Sequence, residues 1–255
     1  MSKLEMSRDR RLYFKYSAKR AMSERGNLLR FVGATFIMLA LIEAVIYLFE
    51  TVCLFLGAKI TGYLLAVELV ILFIVSAPLI IGLSRMAYRM SLGENTEIGD
   101  ILWAYDRLRV RDAYVLAITA LADMLVLLVM SFAVGRCIAY AFEGIYAEFF
   151  SVPALIWSAI ALPFLSGAFT RTFVLPAAYF ESGSLTEAFS AAKKTVKGEA
   201  FEISAFNVSF MPLLFLSILT LGILFFVYFL PFYMLSAQLC ASYFVGCTTP
   251  EYYRK

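Results

Sequence analysis

The stretch "LTLGILFFVYFLPFY", Leu219–Tyr233, decides the fold, because from residue 203 to residue 250 the chain carries no Asp, Glu, Lys or Arg. As one helix rising about 1.5 Å per residue, that run would reach roughly 70 Å. A bilayer's hydrocarbon core is only about 30 Å thick, so a single pass cannot absorb it. The chain must turn back near the middle, and Thr220-Leu221-Gly222 is the place, since glycine tolerates the backbone angles of a tight turn. The expected unit is a helical hairpin, Ile203–Leu219 in one direction and Gly222–Phe244 in the other.

The same logic extends to the whole chain. Hydrophobic residues make up 62% of it and the mean hydropathy is +0.82, against about 45–50% apolar residues in a soluble domain. Apolar runs mark six spans: Leu29–Phe55, Leu64–Met86, Ala113–Val134, Val152–Phe173, Ile203–Leu219 and Gly222–Phe244. The fourth can continue through "VLPAAYF" to Phe180. The expected fold is an all-α membrane protein with six transmembrane helices in three helical hairpins. Residues 1–28 form a basic amphipathic segment, 29–246 the membrane domain and 247–255 a short tail.

Charge sets the direction. Of the 22 Lys and Arg, all but Lys59, Arg136 and Arg171 fall before the first span, between spans two and three, between spans four and five, or at the end. The positive-inside rule then puts both termini in the cytoplasm of a bacterial plasma membrane. This distribution accounts for the net charge of +3 without nucleic acid as a partner. The polar, basic segment ahead of the first span is too long for a cleaved signal sequence.

Each hairpin is preceded by an amphipathic segment on the basic side. In "SLTEAFSAAKKTVKG", Ser184 and Glu187 have capping-box spacing, and Leu185, Ala188, Phe189, Ala192 and Val196 form one apolar stripe. Lys193, Lys194 and Lys197 gather in its last turn, where they suit the helix dipole and anionic headgroups. A similar stripe runs through Ile98, Ile101, Leu102, Tyr105 and Leu108, and a less regular one through Tyr13, Phe14, Ala18 and Met22. Such helices either lie apolar face down on the inner leaflet or pack on the protein's own cytoplasmic face. The echo between "AKRAMSERG" and "AKKTVKG", with Pro78, Pro163 and Pro231 in the even-numbered spans, suggests a pseudo-threefold repeat of surface helix, span and span. Each proline removes a backbone hydrogen bond and kinks its helix unless neighbours compensate. Gly82 and Gly167, four residues past two of these prolines, allow close helix contact.

The chain resembles a known family in "GNLLRF" (Gly26–Phe31), "APLIIGLSRMAYRMSLGE" (Ala77–Glu94), "LTEAFSAAKKTVKGEAFE" (Leu185–Glu202) and "LTLGILFFVYFLPFYMLSAQLCASYF" (Leu219–Phe244). This is the bacterial integral-membrane family catalogued as domain of unknown function nine-seven-five. The chain is more distantly similar to the membrane domains joined to some glycerophosphodiester phosphodiesterases. The first resemblance implies a six-span membrane fold with no assigned activity and no functional residue to carry over. It departs from that family at Leu175–Phe180, "LPAAYF", where a Pro-Gly pair is usual, and at Pro231-Phe232, where Pro-Tyr is common.

Chemistry is sparse. There is no His, and Cys53, Cys137, Cys240 and Cys247 lack the C-x-x-C spacing of a zinc or redox site. No catalytic or cofactor motif is present, so no cofactor and no enzymatic activity are expected. Ionisable groups inside spans cost about 2.5–3.5 kcal/mol each and need partners or water. Glu43 and Asp123 are the deepest, and Arg171 is the expected partner of Asp123. They line a polar path or hold helices in register as a structural ion pair. The functional classes are then a non-catalytic membrane component organising anionic lipid or a membrane-protein partner, a small transporter or export accessory with a path near Glu43 and Asp123, and an intramembrane enzyme.

Overall fold

The computed structural model describes residues 8–24, 26–55, 62–106, 109–142, 164–195, 199–220 and 222–246. Every regular element among them is helical: α1 (Arg8–Ser23), α2 (Asn27–Phe55), α3 (Gly62–Ser91), a 3-10 helix (Ile98–Tyr105) and α4 (Val110–Phe142). Then follow a π-turn (Thr170–Val174) leading into α5 (Leu175–Ser182), α6 (Leu185–Thr195), α7 (Ala200–Val208) and α8 (Met211–Leu219). A second π-turn (Phe225–Phe229) leads into α9 (Leu230–Val245). Among the described residues, four stretches are long and apolar enough to cross a membrane: Asn27–Phe55, Ala66–Ser91, Ala200–Ser217 and Phe225–Val245. A helix satisfies its own backbone groups, which is what an apolar surrounding demands. Of the last stretch 61% is buried, against 22% of the first, and α9 is the central rod. It packs on α1, α3, α5, α6 and both π-turns.

The elements share one basic end. Arg30 at the start of α2 donates to the Thr96 carbonyl just beyond α3 (3.0 Å). Tyr179 near the end of α5 donates to Asp112 in the first turn of α4 (2.9 Å). Arg11 of α1 pairs with Glu202 at the start of α7 (2.9 Å), and Arg10 reaches the hydroxyl of Tyr243 at the end of α9. The expected turn at Thr220–Gly222 is in place, with Gly222 at φ 80° and its N–H donating to Ser217 O (3.0 Å). Beyond it the chain folds back, so that Tyr233 donates to Asn207 (2.9 Å) and Phe232 meets Phe210 edge to face. Helical structure also runs without a break from 164 to 182, which extends the fourth apolar run past Phe180.

Each amphipathic stripe turns part of its apolar face toward the bundle. Phe14, Ala18 and Met22 are buried against α9 and α7, with the Phe14 ring edge-on to Phe206 and tilted against Tyr243. The 98–105 segment is a 3-10 helix rather than an α-helix. With three residues per turn, Ile101 and Ala104 align on one buried face, while Leu102 and Tyr105 point outward. In α6, Ala188 and Ala192 are buried and Phe189 stays exposed. Alanines permit this approach because they hold the helix backbone close to its neighbour. Val196, Lys197 and Leu108 lie outside the described residues, as does the span-four stretch 152–163 with Pro163.

Prolines are accommodated in two ways. Pro78 sits inside the continuous helix α3 and leaves the Ile74 carbonyl without its N–H. Tyr114 of α4 donates to that carbonyl (2.9 Å), and Tyr105 to the next one, Val75 (2.7 Å). At Pro176 and Pro231 the backbone instead widens by one residue beforehand. The N–H of Leu175 bonds Thr170 O and that of Leu230 bonds Phe225 O, each five residues back. Pro176 therefore shares the local geometry of Pro231, the relation expected of Pro163. Gly82 makes the close contact its position implied, against the Ile101 backbone, whereas nothing lies within 4 Å of a Cβ at Gly167.

Candidate functional site

Two clusters of charge are built by this packing. The first is in the apolar part of the bundle, where Arg171 Nη1 lies 3.2 Å from Asp123 Oδ1. α4 and the 164–182 rod run antiparallel, as the Asp112–Tyr179 and Asp123–Arg171 contacts show, so the two residues meet at one depth. Arg171 occupies the π-turn, where the extra residue per turn rotates its side chain toward α4. The Asp123 side chain is 16% exposed and its Oδ2 has no hydrogen-bond partner, while Arg171 is half exposed. Glu43 is exposed on α2, which packs on α1, α3, the 3-10 helix and the second π-turn. The described structure does not bring it to Asp123.

The second cluster, at the basic end, is the richer one. The 3-10 helix starts at a capping box in which Glu97 and Asp100 tie each other's backbone N–H. Arg89, in the last turn of α3, grips Asp100 in a bidentate pair (3.0 and 3.1 Å), Glu94 (2.8 Å) and the Asn95 carbonyl (3.1 Å). This pins the 3-10 helix on α3 and places the Trp103 ring edge-on to Phe180 of α5. Arg85, one turn before Arg89, lies 4.2 Å from the Trp103 ring centre, and Arg109, just ahead of α4, lies 4.3 Å from it. Such stacking is worth about 0.5–2 kcal/mol per cation.

Four of the carboxylates nearby are engaged by other donors. Asp100 and Glu94 belong to Arg89, Asp112 accepts from Tyr179 and Glu181 accepts from Tyr88 (2.9 Å). Among the described residues, Arg85 and Arg109 therefore have no carboxylate within salt-bridge distance. The Trp103 indole N–H is also buried without an acceptor. Sequence reading placed Arg85 and Arg109 on the basic side but did not single out Trp103 or the pairing. Residues 85, 103 and 109 meet only because the short 3-10 helix folds back on α3.

Lys15 closes a third feature that the sequence reading missed, a break in the fifth apolar run. α7 ends at Val208, Ser209 and Phe210 form a turn, and α8 starts at Met211-Pro212. The Leu213 and Leu214 N–H groups both bond Phe210 O, which leaves the Ser209 carbonyl free. Lys15 donates to it (2.9 Å) with its ammonium 4.2 Å from the Phe210 ring centre. Burial, and then the charge of Arg11, pull the Lys15 ammonium below the ordinary lysine range. Pro212 was the signal that marked this break. Of the other expected residues, Lys193 and Lys194 are exposed on α6 and Pro78 and Pro231 are buried.

Comparison of the chain with protein families, with curated proteins and with solved structures finds no match in any of the three.

Proposed function

We propose that this protein is a six-span integral membrane protein of the bacterial plasma membrane, with both termini cytoplasmic. In this reading it is a non-catalytic component that organises anionic phospholipid or a membrane-protein partner at its inner face. The observation that carries the reading is the gathering of Arg10, Arg11, Lys15, Arg30, Arg85, Arg89 and Arg109 at one end of a bundle with apolar flanks. Those flanks include Leu48, Leu54, Phe55, Leu219 and Ile223, all well exposed, and an apolar belt beside a basic rim fits a bilayer and its anionic headgroups. The resemblance carried by Ala77–Glu94 and Leu185–Phe244 points the same way, toward a membrane fold without an assigned reaction. Exposure of Glu43 on α2 weighs against the alternative, a small transporter or export accessory with a polar path near Glu43 and Asp123.

The test is affinity capture of the full chain in mild detergent, with co-purifying lipids and proteins identified by mass spectrometry. Enrichment of anionic over zwitterionic phospholipid, or of a defined membrane protein, is the expected result. A lipid complement that mirrors the bulk membrane, with no stoichiometric partner, would remove the proposal.

A further inference from the structure

We infer that Arg85, Trp103 and Arg109 form a binding site for a phosphate group. The inference deepens the functional reading above and rests on it, since it names the headgroup chemistry and the residues that take it. Three observations converge. Two half-buried guanidinium groups stand over one indole ring at 4.2 and 4.3 Å. Among the described residues neither guanidinium has a carboxylate within salt-bridge distance, and Asp100, Glu94, Asp112 and Glu181 have other donors. The indole N–H of that ring is buried without an acceptor.

A partly desolvated cation without a counter-charge is costly, and an anion arriving between the two forks relieves that cost for both. A carboxylate has two oxygens and matches a single fork. Two guanidinium groups over one ring call for an anion whose oxygens face more than one direction, and the tetrahedral phosphate of a diester headgroup or of free phosphate supplies them. The platform is rigid before binding: Trp103 is wedged against Phe180, and Arg89 clamps the 3-10 helix through Asp100. Little ordering is left to be done when the ligand arrives.

The site lies where the basic end of the bundle meets its apolar flank. A phospholipid headgroup and a free phosphate are both sources of this chemistry, and the experiment separates them. The full chain with Trp157→Phe, so that Trp103 is the remaining Trp, is held in maltoside micelles, which contain no phosphate. Its emission is followed while phosphatidylglycerol, inorganic phosphate or oleate (an anion without phosphate) is added. A saturable change with phosphatidylglycerol or with phosphate, at least tenfold tighter than with oleate, is expected.

R85Q/R109Q should weaken that half-saturation at least tenfold, and R85K/R109K, which keeps the charge but loses the forks, several-fold. K19Q/R20Q removes the same charge from exposed positions of α1 and should change it less than twofold. A melting curve checks that each variant is folded, and R85K/R109K stands in if the Gln pair is not. A response to phosphatidylglycerol alone assigns the site to lipid, and one to inorganic phosphate as well assigns it to a small phosphorylated ligand. The site is refuted if neither source saturates, if oleate does as well, or if the R85Q/R109Q and K19Q/R20Q pairs behave alike. Should captured protein stay enriched in anionic lipid while R85Q/R109Q changes nothing, the functional reading stands and this site falls.

Discussion

The hydroxyl of Tyr114 donates to the carbonyl of Ile74 across 2.9 Å, and Ile74 is the residue that Pro78 deprives of its helical N–H. A proline on one helix is thereby stabilised by a tyrosine on the next. Tyr114→Phe should lower stability by about 1–2 kcal/mol, the cost of an orphaned carbonyl in an apolar setting. With Pro78→Ala present, residue 78 regains an N–H for Ile74 and the same change should cost almost nothing. A thermal-melting double-mutant cycle measures this, and additive effects would show that the two residues are not coupled.

Gly82 and Ile101 are in backbone contact: a Cβ at residue 82 would meet the Ile101 carbonyl oxygen at 2.0 Å. Backbone cannot swing aside as a side chain can, so Gly82→Ala should cost about 1–3 kcal/mol. It should also disturb the Arg89–Asp100 clamp. Gly167→Ala, where nothing lies within 4 Å, should be neutral or stabilise by up to about 1 kcal/mol through helix propensity. Equal melting temperatures for the two variants would contradict the packing of the 3-10 helix on α3.

Lys15 caps the broken helix at Ser209. Lys15→Met should lower stability by about 1 kcal/mol, combining a charged hydrogen bond with the α7 dipole and discounted for partial exposure. The lowered ammonium pKa gives the pH dependence a sign. The stability tied to this proton is complete above the ordinary lysine value and is lost as pH falls through the lowered one. The gap in melting temperature between wild type and Lys15→Met should therefore widen as pH rises into the alkaline range. A gap that narrows there would be inconsistent with the burial of Lys15.

Arg171 and Asp123 should behave as a unit. Arg171→Gln leaves the mostly buried Asp123 without its counter-charge, and Asp123→Asn leaves an arginine unpaired among apolar helices. The double variant should be more stable than the sum of the single losses by about 1 kcal/mol, a modest coupling because Arg171 is half exposed. Strict additivity in melting experiments would mean that the 3.2 Å contact contributes nothing.

The proposed topology is checked by labelling. In a chain cleared of native Cys, Ile60→Cys and Gly144→Cys should react with an impermeant thiol reagent added to intact cells. Asn95→Cys and Ser190→Cys should react only after lysis. The reverse pattern would overturn the placement of the basic end in the cytoplasm.

Where the chain is apolar and where it must turn can be read from residue order alone. A charge-free run of twice the bilayer's thickness forces a return, and Gly222 marks it. The antiparallel return that the turn at Gly222 implies, the contact permitted by Gly82 and the meeting of Asp123 with Arg171 all follow from span lengths, directions and depths. Periodicity also showed that Ala188 and Ala192 share an apolar face with Leu185. It could not show what covers that face, because lipid and a protein interior are equally apolar.

Only the tertiary structure decided that Ala18, Ala104, Ala188 and Ala192 turn toward the bundle. The same holds for the rescue of Ile74, freed by Pro78, by Tyr114, and of Ser209, freed at a helix break, by Lys15; each carbonyl is met from another helix. Arg85, Trp103 and Arg109 come together because a 3-10 helix of only 8 residues folds back on Gly82. Contacts of that kind depend on distance across helices, which the order of residues along one helix does not encode.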